Sequence, residues 1–409
     1  MRRYGAGLTV FSVTVAGFLL PPLALVGSGR AQPATQPQDL PSDSAVLALI
    51  KQRVDDGRTV GVVVGLLERD GRRRIVAYGD PGPGQPPLDG NSVFDIGSIT
   101  KVFTAILLAE MVLDGEVNLD DPAQKFLPSS VKVPQRNGRQ ITLAHLAMHN
   151  SGLPRAPTNA GPESGPNPYA QYTVEQMYDF LSGYALPRDP GAAQEYSNVG
   201  VGLLGHALSL AAAKPYEQLE QERVWTPLGL RHTGITMTPW MRAHLALGHG
   251  TNGAIVPNWN SPAIAAAGAM RSTTNDLLDF LWASIHTDST LLGKAMAFTQ
   301  RSHLAPGASD ARPLIWGRRP TATDTIFGHS GGTDGYRTRI GFLRRKGVGA
   351  VVLTNSGSAS SDDLLPHLLD SSIPFEKPVR RLTLAPAFAL LGFALALGAV
   401  ILVRRQRRR

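Results

Sequence analysis

The spacing of hydrophobic and polar positions changes period twice along this chain, and the changes outline an architecture. Early in the body, Val60–Leu67 (VGVVVGLL) is a continuous apolar run and Arg74–Tyr78 alternates, with a turn signal at Asp70-Gly71 between them. This reads as a hairpin, preceded by a helix from Ala45 to about Asp55 and followed by a short extended piece, Val93–Ile96. An apolar helical stretch then runs from Ser98 to about Leu113 and stops at Asp114-Gly115. Between about residues 120 and 290, helical patterns alternate with Pro- and Gly-rich loops. Thr142–Met148, Val174–Leu181, Val199–Ala213 and Ser272–Ile285 are the clearest, the last opening with Thr273 and Asp276 spaced as a capping box. Extended patterns return at Thr325–Phe327, Tyr336–Leu343 and Val348–Leu353. Strands at both ends with helices between predict an α/β fold of the α+β sandwich type. Its antiparallel sheet is built from the two chain ends, flanked by helices, with a mostly helical region inserted.

The ends outside this body carry a different pattern. After MRR, the stretch Tyr4–Gly29 is uncharged, and Gly29-Arg30-Ala31 is a small-x-small site compatible with signal cleavage before Gln32. Residues 1–31 are therefore expected to be a signal peptide or signal anchor; Pro21-Pro22 interrupts the stretch and favours cleavage. Residues 32–44 read as a Pro-, Gln- and Ser-rich linker, 45–370 as the folded body and 371–381 as a juxtamembrane linker. Leu382–Val403 carries no charge. As a helix it is ~33 Å long against a ~30 Å hydrocarbon core, so it reads as a transmembrane helix. The basic tail RRQRRR (404–409) follows, and the positive-inside rule puts it in the cytoplasm and the body in the periplasm or outside the cell.

Charge and cysteine content narrow the function. The formal net charge is +8, but Arg2, Arg3, Arg30 and the five tail arginines account for all of it. The body is formally neutral, so no nucleic-acid partner is expected. The absence of cysteine excludes thiol catalysis, iron–sulfur clusters and disulfides.

Two serines compete for attention. Gly328-His329-Ser330-Gly331-Gly332 fits the G-x-S-x-G nucleophile elbow, which needs a helix directly after the serine. The residues that follow alternate in twos and read as a hairpin, and only His367 lies downstream as a partner, so Ser330 is not the expected nucleophile. Ser98 is better placed. It stands three residues before Lys101 at a helix start, where i and i+3 share a face and the amides favour developing negative charge. S-x-x-K alone is weak, and Ser129-Ser130-Val131-Lys132 is a decoy with no apolar helix behind it. The only Tyr-x-Asn of the chain, Tyr196-Ser197-Asn198, and then GHSGGTDGY complete an ordered set with Ser98.

In that order and spacing the three motifs resemble the serine β-lactamases of class C and the related penicillin-binding D-alanyl-D-alanine carboxypeptidases and esterases. The resemblance covers roughly residues 43–370 and includes TLAHLAMHNSGLP and PYEQLEQERVWTPLGLRHT. It implies a β-lactamase/transpeptidase-like fold in which Ser98 is acylated, with Lys101 as its charged neighbour. Tyr196 is then the general base, or Lys101 itself, since the division of labour in such sites is disputed. Asn198 would hold the lysine or a substrate amide. His329, Ser330 and Gly331 would line the active-site strand, and the amides of Gly332 and Ser98 would form the oxyanion hole. The chain departs from the family pattern where His329 replaces the lysine of the third motif; Arg337 or Arg339 is the candidate substitute, both on one unassigned face. The expected substrates are β-lactams, D-alanyl-D-alanine cell-wall peptides, or small esters and amides, with no cofactor. A non-catalytic penicillin-recognising sensor is the alternative of another class. No metal is expected: His145 and His149 lie at i, i+4 but lack the glutamate of H-E-x-x-H. His145 reads as a packed helix residue and His149 as part of a site-lining loop.

Overall fold

The computed structural model of the protein describes residues 12, 39–161, 167–358 and 364–375. The predicted signal segment (apart from Ser12), membrane span and basic tail lie outside the described residues. Among the described residues no helix is long and apolar enough to cross a membrane.

Helix α1 (Asp43–Asp55) starts where the Ser42 hydroxyl accepts a hydrogen bond from the Ala45 amide, two residues before the expected start and inside the expected linker. Strands β1 (Gly61–Leu67) and β2 (Arg73–Gly79) form the predicted hairpin. After β3 (Val93–Asp95), a 3-10 turn over Gly97–Ile99 leads into α2 (Thr100–Leu113). A minimal pair, β4 (Gln135–Arg136) and β5 (Arg139–Gln140), precedes α3 (Leu143–Ala147), α4 (Val174–Gly183) and α5 (Asn198–Ala212). Helix α6 (Tyr216–Glu220) opens into a π-helical turn, Gln221–Trp225, and α7 is Pro239–Ala243. Strand β6 (Arg271–Thr273) runs straight into α8 (Thr274–Ile285), capped by the Thr273 hydroxyl, and α9 is Leu291–Gln300. Strands β7 (Gly317–Pro320), β8 (Thr325–Gly332), β9 (Arg337–Leu343) and β10 (Val348–Thr354) are followed by α10 (Leu364–Leu369).

The main sheet has six antiparallel strands in the order β2-β1-β10-β9-β8-β7, so the two chain ends meet at its centre. The pairing of β1 with β10 runs from Val62 opposite Thr354 to Leu67 opposite Gly349. The unbroken apolar run of β1 is explained by cover on both faces. Val63 and Leu67 belong to the cluster that includes Leu277, Leu278 and Leu281 of α8. Val62, Val64 and Leu66 join Val46 and Ile50 of α1 and Leu364 and Leu368 of α10. Each such side chain, fully withdrawn from water, contributes about 1.5–3 kcal/mol.

The expected extended piece at 93–96 is β3, which stands outside the main sheet and pairs with β6, Asp95 opposite Arg271. The stretch after residue 370 is not wholly a linker. Ile373 and Phe375 pack on the α1 side of the sheet, with the Arg53 guanidinium 4.9 Å from the Phe375 ring centroid, because α10 leaves apolar surface there to cover.

Candidate active site

Ser98 sits in the 3-10 turn that opens α2, and the turn is pressed against the end of β8. Gly97 has φ +51°, and a Cβ on it would stand 2.6 Å from the Gly332 amide nitrogen. A Cβ on Gly331 would stand 1.9 Å from the Ile96 carbonyl oxygen, which already accepts a hydrogen bond of 2.9 Å from Thr338 Oγ1. Glycine is thus required at 331 by packing inside the protein: β8 is seated directly on the turn that carries Ser98.

Around Ser98 Oγ three elements converge. Lys101 Nζ, from the first turn of α2, lies 3.0 Å away, and Tyr196 OH donates to Ser98 Oγ at 2.7 Å. Lys101 is fully buried. Its amine also donates to Asn198 Oδ1 at 2.9 Å and to the Ala267 carbonyl at 2.5 Å. None of these partners is a carboxylate. Burial, helped by the Arg155 guanidinium, holds the Lys101 pKa well below the ordinary lysine value. Burial also pushes the Tyr196 phenol up to about 12, against the pull of its Ser98 hydrogen bond and of Arg155.

The hydrogens can be counted from this geometry. Asn198 Oδ1 and the Ala267 carbonyl can only accept, so they take two N–H bonds from Lys101. The third position of the nitrogen faces Ser98 Oγ: an ammonium donates its last N–H there, and a neutral amine turns its lone pair to the Ser98 hydroxyl. A phenol donates to the same oxygen from the other side.

Local structure explains the Tyr-x-Asn spacing. Ser197 is the N-cap of α5: its hydroxyl accepts from the Gly200 amide at 2.8 Å and donates to the Pro154 carbonyl at 2.7 Å. Tyr196 therefore precedes the helix and Asn198 is in its first turn, both held by one cap. The Tyr196 ring packs on the His149 ring at 4.5 Å between centroids, with the Arg155 guanidinium 5.2 Å from the Tyr196 centroid. His149 Nδ1 accepts from the Ser197 amide at 3.1 Å, which puts the ring proton on Nε2. Its burial, with Lys101 and His329 nearby, lowers its pKa well below the usual histidine value.

On β8, His329 is half-buried and Ser330 is exposed. The His329 Nδ1–H donates to the Ser330 carbonyl at 2.7 Å. Burial, then Lys101, brings the His329 pKa down to about 4, so the ring is neutral at pH 7. Ser330 lies mid-strand opposite Arg339, and a second strand follows it rather than a helix, so it has no elbow geometry. The decoy serines 129 and 130 are exposed in a surface loop with Lys132.

A cleft of about 870 Å³ opens over Ser98, lined by His149, Tyr196, Trp259 and the strand from Gly328 to Gly332. Arg337 and Arg339 both line it, which settles the face that the sequence left open. Arg155, Arg318 and Arg319 join them, while Asp334 is the one acidic lining residue among those described. Arg155, Trp259 and Ala267 were not singled out from sequence. Ala267 contributes only its backbone carbonyl, which leaves no signal in a side-chain pattern. The two spaced histidines part company: His145 Nδ1 accepts from the Thr142 amide at 3.0 Å and its Nε2–H donates to the Pro306 carbonyl at 2.7 Å. Among the described residues no cluster of three or more His, Asp or Glu is arranged to hold a metal ion.

A protein-family model described as Beta-lactamase matches residues 46–371. The D-alanyl-D-alanine-carboxypeptidase/endopeptidase AmpH of Escherichia coli strain K12 is 34% identical over 312 residues, covering 72% of this chain and 79% of its own. A beta-lactamase of Pseudomonas fluorescens is 25% identical over 354 residues, covering 78% and 94%. Among solved structures, a class C beta-lactamase has a TM-score of 0.69 at 20% identity over 82% of this chain and 97% of its own. A beta-lactamase/D-alanine carboxypeptidase from Yersinia pestis has a TM-score of 0.65 at 26% identity over 81% and 98%. The chain belongs to the beta-lactamase family and is a serine hydrolase of the β-lactamase and DD-carboxypeptidase type.

Proposed function

We propose that this protein is a DD-carboxypeptidase-type hydrolase that works through an acyl-enzyme on Ser98 and is acylated by β-lactams as substrate mimics. The observation that carries the reading is the meeting at Ser98 Oγ of a buried amine at 3.0 Å and a phenol at 2.7 Å. In the acylation step, neutral Lys101 takes the Ser98 proton as Oγ bonds to the acyl carbon. The oxyanion is met by the Ser98 and Gly332 amides. The C–N bond then breaks, Tyr196 gives its proton to the departing nitrogen, and the Lys101 ammonium restores that proton. Water hydrolyses the ester, and Asn198 keeps Lys101 oriented throughout.

The charge of the cleft supports an acyl donor that ends in a carboxylate. His329 supplies no permanent cation, but Arg337 and Arg339 face the cleft beside it. A diffuse arginine field in place of a fixed ammonium favours a flexible peptide over the rigid carboxylate of a lactam, as does the similarity to a carboxypeptidase/endopeptidase. The apolar segment 382–403 and the arginines after it support a membrane-tethered protein whose body lies outside the cytoplasm.

The test is intact-protein mass spectrometry after mixing with a penicillin, a D-alanyl-D-alanine peptide and an aryl ester. A Ser98 adduct is expected with the penicillin and is lost in Ser98→Ala; the peptide is turned over. An adduct that persists in Ser98→Ala overturns the reading. Protease accessibility in intact cells and spheroplasts tests the placement of the body.

A further inference from the structure

One buried acid lies outside this machinery. Glu220 is the last residue of α6, at the point where the helix opens into its π-helical turn, and it is fully buried. Its Oε1 meets Tyr216 OH at 2.8 Å, and its Oε2 has no partner among the described residues. Tyr216 OH lies 2.7 Å from Thr104 Oγ1, on α2. Thr104 Oγ1 in turn lies 2.8 Å from the Ala266 carbonyl and 3.3 Å from the Thr100 carbonyl. The next carbonyl along, Ala267, is the one that accepts from Lys101 Nζ. A single file of polar contacts thus links a buried carboxyl to the wall on which the lysine rests.

The protons available fix the direction of that file. Tyr216 and Thr104 have one hydroxyl hydrogen each. If Glu220 is a carboxylic acid it donates to Tyr216, Tyr216 donates to Thr104, and Thr104 is free to donate to the Ala266 carbonyl. Every link then has one proton. If Glu220 is a carboxylate, Tyr216 must donate to it. Thr104 then has to choose between Tyr216 and Ala266, and one close oxygen pair is left without a hydrogen. An ionised Glu220 would also leave Oε2 charged and unpartnered in the core, which is costly.

We propose that Glu220 is a positioning residue, held as the neutral acid, that through Tyr216 and Thr104 anchors the Ala266–Ala267 carbonyls against which Lys101 is oriented. The inference rests on the assignment of Lys101 to the acylation step. Burial pushes the Glu220 carboxyl up to about 8, against the pull of Tyr216. Titratable groups on the elements packed against α6 are engaged elsewhere. Lys101 is held by Ser98 and Asn198, Glu110 by Arg223, His206 by Tyr178 and Glu222 by Lys214. Among the described residues Tyr216 is the one titratable group bonded to this carboxyl.

The experiment uses stopped-flow acylation of Ser98 by a fluorescent penicillin between pH 6 and 10, in wild type, Glu220→Gln and Glu220→Leu. Glutamine keeps a neutral donor, so E220Q acylates within about threefold of wild type at pH 7 and lacks the decline that wild type shows above about pH 8. E220L, with no donor, is slower by about tenfold or more at every pH. A decline retained in E220Q, or an E220L profile identical to wild type, overturns the proposal; if E220L fails to fold, the E220Q profile decides alone. Infrared difference spectra of wild type against E220Q at pH 6 give a readout independent of acylation. A protonated-carboxyl band at Glu220 is expected, and its absence overturns the proposal. If wild type forms no adduct on Ser98, the nucleophile assignment fails while this band still reports on Glu220.

Discussion

Two basic side chains lie buried in the interior, and their surroundings are opposite. Arg271, on β6, has its Nε 2.9 Å from Asp95 Oδ1 on β3, and its other nitrogens donate to the carbonyls of Ile235, Ala269 and Trp259. Asp95 accepts further from Asn258 Nδ2 at 2.9 Å and from the Trp259 amide at 3.1 Å. Charge is met by charge, the contacts with Asp95, Ile235 and Trp259 tie separate backbone segments together, and the result holds the loop that brings Trp259 to the cleft. Lys101 is as deeply buried, but its partners are two neutral acceptors and a serine hydroxyl. Burial beside Asp95 gives one side chain an opposite charge; burial on neutral acceptors alone drives the Lys101 pKa down.

Exchanging the partners' roles is the sharpest way to break this contrast. Lys101→Met removes the base, and the acylation rate is expected to fall by about 10²- to 10⁴-fold, measured by stopped flow. Its stability falls by less than that of the arginine variant below, since the acceptors it leaves unpaired, Asn198 Oδ1 and the Ala267 carbonyl, are uncharged. A loss as large as that of Arg271→Met would mean that this amine is structural like Arg271. Arg271→Met should do the reverse. It strands Asp95 in the core and costs about 3–5 kcal/mol in urea unfolding. A loss under 1 kcal/mol would mean that the pair carries no structural weight.

A pH profile separates the two site protons with the smallest effect. The Lys101 pKa is lowered, so its unprotonated fraction is complete at a pH well under that of an ordinary lysine. The acylation rate should therefore rise with pH and level off early. Were Tyr196 the base, with its phenol pushed up to about 12, the rate would keep climbing into strong alkali. E220Q is the background in which to read the plateau, free of the alkaline decline.

What the sequence revealed and what it hid follow a physical division. Ser98 with Lys101, and Tyr196 with Asn198, were legible because each pair is fixed by one helix start, and helix starts leave local marks. The hairpin β1–β2 was legible for the same reason. The pairing of β3 with β6 was not, because three-residue strands name no partner and theirs lies far along the chain. Strand β7 was hidden because all four of its residues are exposed and none alternates. The wall behind Lys101 was hidden because its acceptor is a backbone carbonyl, and Glu220 because it is one of three glutamates in a polar stretch, Tyr216–Glu222, where an acid reads as surface.

The central register of the sheet, residues 62–67 against 349–354, has a consequence for biosynthesis. Its innermost strand pair joins the earliest part of the body to almost the latest, the costliest kind of contact to form by diffusion. A nascent chain leaving the ribosome cannot close this core until β10 has emerged. Until then β1 and β2 are a hairpin with bare apolar faces, open to whatever machinery receives unfolded polypeptides.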